Sequence, residues 1–307
     1  MNEPVKKTDD AGWAAEARRV ARAVRRRVLQ HTIHNNGGYL SQACSSAEIL
    51  ATLYTRVMNL GPSEGPLEPL PFPGVPGPGN PHAFTGAAYN GPRAAHLDRF
   101  VFSPVHYALV LYSALIEVGR LGKDALDEFN VDGSTVELIG AEHSPGHEVT
   151  AGSLAQAISQ AGGIALARQL KGETGRTWVF MSDGEFQEGQ VWEALAAAAH
   201  WKIDGLGVYV DVNGQQCDGT VTSVMTIDPL ARRLEAFGAL VREVDGHDVG
   251  ALAAAAEGSR DGRPLVVLAK TDPCRGIGLL TARSPKLHYV RFKGPAEQRA
   301  YEELLAS

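Results

Sequence analysis

Residues 182–219 read SDGEFQEGQVWEALAAAAHWKIDGLGVYVDVNGQQCDG, and the apolar run TWVFMS at 177–182 leads into them. That run and LGVYVDV at 206–212 are short and rich in β-branched and aromatic residues, as strands buried on both faces are. Between them, 189–200 is Ala-rich and long enough for a helix. Strand, helix and strand in this order make one βαβ unit, whose two strands run parallel. Asp183-Gly184 closes the first strand and Asn213-Gly214 the second. The two side chains are 30 residues apart (213 − 183). They therefore fall at neighbouring strand ends, where parallel sheets bind their ligands.

Outward from this unit the alternation continues. Helices are expected at 228–238 and 248–258, strands at 239–244 and 264–270. Upstream, helices are expected at 13–30, 45–58, 104–119 and 150–170. Strands alternating with helices predict an α/β fold, a mainly parallel sheet with helices on both faces. Nine of the 17 prolines lie within 61–92, a density that no regular element survives. The segment either packs over the cleft mouth or a partner surface, or is a mobile insertion. The motifs on its two sides belong together, so residues 1–307 are read as one domain carrying this insertion.

Composition narrows the function. The formal charge is −6, which disfavours binding to nucleic acid. Helix 13–30 carries Arg18, Arg19, Arg22, Arg25, Arg26 and Arg27. In an acidic chain these read as a solvated face rather than an anion site. No apolar stretch is long enough to span a membrane. The acidic start, with Glu3, Asp9 and Asp10 and no apolar run, predicts no leader peptide. Three widely spaced cysteines make neither a disulfide framework nor a zinc pattern, and a cytoplasmic location is expected. His143 and His147 form HxxxH, but the intervening Ser-Pro-Gly makes a turn, so no metal site is expected there.

A carboxylate and an amide oxygen are hard ligands suited to Mg²⁺ or Ca²⁺ with phosphates completing the shell. The same residues also occur as an ordinary strand-end cap and an Asn-Gly turn. What distinguishes the two readings is that the whole stretch, helix and QCDG turn included, resembles the thiamine-diphosphate motif of transketolases. That resemblance implies that Asp183, Asn213 and the carbonyl of Gln215 hold the metal. It places Gly184 and Glu185 at the diphosphate.

The likeness extends over nearly the whole chain. DRFVFSPVHYALVLYSAL at 98–115 resembles the family segment with a substrate-facing histidine, here His106. SPGHEVTAGSLAQAISQAGGIALA at 144–167 resembles the segment whose backbone holds the aminopyrimidine ring, here Gly152, Ser153 and Leu154. His288 in KLHYV falls where the family has a histidine near the diphosphate and the reacting centre. The helix after Glu188 resembles the family's subunit-interface helix. Three positions depart from the family pattern: Ser182 replaces a glycine, Tyr39 a substrate-contacting histidine, and Gly140-Ala141-Glu142 a Gly-His-Pro. His143 is a candidate substitute for the lost histidine.

The family's pyrimidine-binding domain, with its activating glutamate, has no counterpart in this sequence. The resemblance therefore implies the N-terminal subunit of a split transketolase. Such a subunit binds thiamine diphosphate and Mg²⁺ (or Ca²⁺) and works with a C-terminal subunit in a heterotetramer. It moves a two-carbon ketol unit from a ketose or its phosphate to an aldehyde. Two other readings stand beside this one: a carboligase that decarboxylates a 2-oxo acid, and a non-catalytic scaffold.

Overall fold

The computed structural model describes residues 12–258 and 260–307. The acidic residues of 1–10, on which the leader-peptide expectation rests, lie outside them. Two helices open the described chain, α1 (Trp13–His34) and α2 (Leu40–Thr52). Strand β1 (Arg99–Phe102) and helix α3 (Ala108–Glu117) follow the proline-rich segment. Then come α4 (Ala157–Leu170), β2 (Thr177–Ser182), α5 (Gly189–His200) and β3 (Leu206–Val212). A tight hairpin of β4 (Gln215–Gln216) and β5 (Gly219–Thr220) leads to α6 (Val221–Val224). The chain closes with α7 (Leu230–Ala236), β6 (Leu240–Asp245), α8 (Val249–Ala255), β7 (Leu265–Lys270) and α9 (Pro295–Ala306).

The five longer strands form one sheet in the order β1-β2-β3-β7-β6, every neighbouring pair parallel. Alternate residues of each strand enter opposite cores, as a period of two requires. Phe100, Phe102, Trp178, Phe180, Tyr209 and Val267 pack with α1, α2, α3 and α8. Val101, Val179, Met181, Val208, Val210 and Val266 pack on the other face with α4, α5 and α7. All six residues of β2 are buried. Each such apolar side chain contributes roughly 1.5–3 kcal/mol by leaving water. Because the strands are parallel, their carboxyl ends share one edge of the sheet, and that edge positions the candidate site.

The βαβ unit has the expected boundaries at β2, α5 and β3. Elsewhere the differences have local causes. Helix α2 begins at Leu40 rather than at Ser45, and all 13 of its residues are buried, so no polar face marks its start. Ser46 lies inside it and donates to the Gln42 carbonyl at 2.6 Å. Helix α4 begins seven residues later than expected, at Ala157, because the preceding turn places Ala155 at φ +64°. Arg25, assigned from sequence to the solvated face of α1, is buried and paired with Glu48. Arg19, Arg26 and Arg27 also bond within the chain.

The proline-rich segment holds two short 3₁₀ turns, Pro81–Phe84 and Gly86–Asn90, where no regular element was expected. Backbone bonds pin it to the loops at 122–146. Phe72 N donates to Gly133 O at 2.7 Å, Gly122 N to Leu67 O at 2.8 Å, and Gly86 N to Glu142 O at 2.7 Å. None of its residues lines the cleft described below. Among the described residues, no helix is long and apolar enough to cross a membrane.

Candidate active site

The ends of β2 and β3 meet as the spacing predicts: Ser182 and Asp211 are register partners. A cleft of about 330 Å³ opens beyond them. Its walls include Gln42 from α2, His106 from the turn after β1, Gly152 and Leu154, Gly184, Asn213, Gln215 and His288. Seven of the sequence-expected positions thus share one cavity with Glu188, which is exposed at its edge. Asp183 is buried and lines not this cleft but a neighbouring cavity, with Gly214 and Lys270, while Ser153 is exposed alongside Leu154.

One Asp183 oxygen, Oδ2, accepts the Gly214 N–H at 2.8 Å. The other, Oδ1, is buried with no partner. Gly214 sits at φ +69°, which turns its N–H inward and suits glycine. Asn213 Oδ1 accepts the Gln215 N–H at 2.8 Å and keeps a second lone pair. The side-chain oxygen of Gln215 is also buried and unpartnered. These are the acceptors that a hard divalent cation takes. Above Gly184 a Cβ would meet only Gln216, at 3.9 Å, so packing within the chain does not require a glycine there. The open backbone suits a closely approaching phosphate. Residues and space therefore fit a metal–diphosphate group.

Electrostatics point the same way. Burial, and next the charge of Asp211, push the Asp183 carboxyl up to about 8. Burial also raises Asp211. No Lys or Arg among the described residues pairs with either carboxyl. A bound cation would supply the missing positive charge.

Glu185, expected at the diphosphate, is held by its side chain within the protein. Its side chain points into the protein, where it accepts from Ser103 Oγ, from Ser182 N at 2.7 Å and from Ser182 Oγ at 3.1 Å. Burial raises it to about 7. Only its backbone is left for a ligand. The same bonds account for Ser182, which lines the cleft while its hydroxyl completes a capping box with Glu185.

The cleft wall is aromatic. The His106 ring lies 5.7 Å from Tyr39 and 4.8 Å from Tyr107, and His288 lies 5.5 Å from Tyr39. Burial, reinforced by His288, lowers His106 to about 3. Burial lowers His288 as well. Both imidazoles are neutral near pH 7, so each carries one donor and one acceptor nitrogen. His288 is fixed through its backbone: Ser41 Oγ donates to Leu287 O at 2.8 Å and Gln42 Nε2 to His288 O at 3.0 Å.

His143 does not reach this wall. Its Nε2 meets the Glu137 carboxylate and its ring packs on Phe72 at 4.9 Å. His147 is buried between Phe102 and Tyr112. Three residues that sequence reasoning missed complete the floor: Ser45, Tyr107 and Asp211. The available signal was Asp211 itself, a charge inside an otherwise apolar strand.

Residues 84–283 match the family model of the transketolase thiamine diphosphate binding domain. An uncharacterized transketolase family protein of Sinorhizobium fredii is 33% identical over 277 residues, 89% of each chain. One of the subunits of the apulose-4-phosphate transketolase of Actinobacillus succinogenes is 30% identical, covering 94% of this chain and 96% of that one. The crystal structure of Campylobacter jejuni transketolase superposes with a TM-score of 0.68 at 22% identity, over 97% of this chain and 46% of that one.

Proposed function

From the premise that the chain belongs to the transketolase family, by way of its thiamine diphosphate binding domain, we propose that it is the diphosphate- and cation-holding subunit of a two-component transketolase. The observation that carries this is the unpartnered Asp183 Oδ1, whose carboxylate bonds the Asn213–Gln215 turn and whose neighbours Ser182 and Gly184 line a cleft walled by His106 and His288.

In this reading residues 1–307 act as one cofactor-binding unit. Asp183, the Asn213 side chain and the Gln215 carbonyl hold Mg²⁺ (or Ca²⁺). The backbone at Gly184 and Glu185 faces the diphosphate, and that at Gly152, Ser153 and Leu154 faces the aminopyrimidine ring. Bound thiamine diphosphate supplies the carbanion chemistry that breaks and re-forms a carbon–carbon bond beside a carbonyl. His106, neutral and close to His288, orients a sugar hydroxyl or carries its proton. His288, in the same cleft wall, would lie close to the diphosphate and the reacting centre, as its family counterpart does. Tyr39 and Ala141 replace polar family residues, which favours a donor other than the standard pentose phosphates.

A second polypeptide, the C-terminal subunit, supplies the pyrimidine-binding half of the site. The Actinobacillus relative is itself named as one component of a transketolase and has nearly this chain's full length, which supports that division. Exposed Ile139 and Leu154, 54% and 40% accessible, flank Gly152 and offer an apolar rim for the partner. Glu188 lies at the same cleft edge, and a tetramer of two copies of each chain follows the family pattern. Free cysteines at 44, 217 and 274 agree with a cytoplasmic setting.

The test is reconstitution. The chain and a co-encoded pyrimidine-domain subunit, singly and mixed, are assayed with thiamine diphosphate, Mg²⁺, a ketose phosphate and an aldehyde. Turnover is expected in the mixture alone. Robust transfer by the isolated chain would overturn the two-component reading.

A further inference from the structure

The Asp211 carboxylate is fully buried on the α2 side of the sheet, at the end of β3. Four side chains converge on it. Its Oδ2 accepts from Ser45 Oγ at 2.6 Å, Tyr107 OH at 3.0 Å and Asn213 Nδ2 at 2.9 Å. Its Oδ1 accepts from Thr271 Oγ1 at 2.5 Å. A buried carboxylate with this many donors is costly to assemble, and the hydrogen bonds offset its desolvation. The donors come from α2, the turn after β1, the β3 end and the β7 end, so the group sits where four elements meet.

The network settles which way the Asn213 amide faces. Its Nδ2 donates to Asp211 Oδ2 and, at 2.8 Å, to Tyr107 OH. Tyr107 and Ser45 spend their own protons on Asp211, so toward Asn213 they present lone pairs. On the other side the Gln215 backbone N–H donates to Oδ1. A flipped amide would set NH₂ against that N–H and its oxygen against the carboxylate. Both sides therefore demand the same orientation, with Oδ1 on the Gln215 side, away from the Asp211 carboxylate, and one lone pair spare.

We infer that Asp211 is a positioning residue: with Tyr107 and Ser45 it locks the Asn213 amide so that oxygen, not nitrogen, is offered to the cation. The inference rests on the cation reading of the site, and its test separates the two. Partners of this kind orient metal ligands without touching the metal.

The probe is Mn²⁺, titrated into the full chain with thiamine diphosphate present, free Mn²⁺ being read by electron paramagnetic resonance. Asp211→Leu removes the acceptor at similar volume and should weaken Mn²⁺ about 10- to 100-fold, as loss of an orienting partner does. Asp211→Asn keeps one oxygen for Asn213 and turns its new NH₂ to the Thr271 hydroxyl, so affinity should stay within about threefold. In an Asn213→Ala background Asp211→Leu should have no further effect, because residues acting through one another are not additive. Should Asp211→Leu fail to fold, the near-isosteric Tyr107→Phe takes its place in the same cycle, with a loss of about 3- to 10-fold expected for one hydrogen bond.

Equal losses in Asp211→Asn and Asp211→Leu would show a charge effect and overturn the inference. Additive losses with Asn213→Ala would reduce Asp211 to a structural residue and also overturn it. A wild-type chain that takes up no Mn²⁺, or an Asn213→Ala chain with unchanged affinity, sinks the cation reading instead.

Discussion

The rings of His106 and His288 lie 5.0 Å apart and tilted by 36° in the cleft, although 182 residues (288 − 106) separate them in sequence. Both are held neutral by burial. In the assembled enzyme His106→Ala should lower turnover by about 10²–10⁴, the usual cost of losing one placed acid–base or orienting group. Cofactor affinity should hardly change, since in this reading Asp183, Asn213 and Gln215, not His106, hold the cation. Steady-state kinetics beside calorimetric cofactor titration would check this. Wild-type turnover would assign the ring to packing.

Asp183→Ala should abolish Mg²⁺-dependent uptake of thiamine diphosphate, because the floor loses its only unpartnered carboxylate oxygen. Asn213→Ala should weaken uptake strongly without abolishing it. Calorimetry of cofactor binding with and without Mg²⁺ separates the two. An Asp183→Ala chain that binds as tightly as wild type would dismiss the motif assignment.

His147 predicts an acid lability. Its ring is fully buried, and burial lowers it to about 4 despite the opposing Pro145 carbonyl. The folded state stays neutral while the unfolded chain takes up a proton below about 6.5. Above that pH the group contributes nothing to the pH dependence. As pH falls from about 6.5 toward 4, stability is lost at about 1.4 kcal/mol per unit, roughly 3 kcal/mol over the window. His31 and His106 are lowered in the same sense and steepen the fall. Urea melts at pH 7.5 and pH 5 should show a shallower pH slope in His147→Gln than in wild type. Equal slopes would mean the ring accepts its proton in the folded state.

Ser182→Gly restores the residue the family pattern has. It deletes the 3.1 Å bond to Glu185 and loosens the backbone before Asp183. A loss of about 1–2 kcal/mol is expected from one buried hydrogen bond and the freedom of glycine. Mg²⁺-dependent cofactor affinity should be unchanged, since the hydroxyl is engaged with Glu185. Thermal melts and calorimetry together test both halves. A large gain in affinity would show that the serine obstructs the diphosphate.

What could be read in the sequence was what is local. Buried strands β2, β3 and β7 stand out as short apolar runs, and the Asp183–Asn213 spacing is that of a single βαβ crossover. Strand β1 was hidden because RFVF is only four residues long and runs straight into Ser103-Pro104. Helix α9 carries only one fully buried residue, Tyr301, so it shows little apolar face. The supporting floor left one sign, the charge of Asp211 in an apolar strand, and its partners could not be read. Ser45 and Asp211 meet across 166 residues and Tyr107 and Asp211 across 104, and no period or spacing encodes such contacts. Arg25 was misplaced for the same reason, because its partner Glu48 lies on another helix.

The backbone that carries His288 is fastened to the first turn of α2 by bonds reaching back 246 residues. Asp183 and Asn213, by contrast, are joined by a single crossover. Assembly of the cleft is thus staggered in time. During synthesis the Asp183–Asn213 corner can form as soon as β3 has emerged, while the His288 wall waits for almost the entire chain. Contacts of such long range also close slowly, because a large loop must be ordered before they repay it. A chain cut after residue 283 would keep the whole span matched by the family model, Asp183 and Asn213 included. It would lack the strand-like pairing of Gly38 with Val290 and the histidine beside it. The two sides of the cleft are, in this fold, completed at different stages of the chain's emergence.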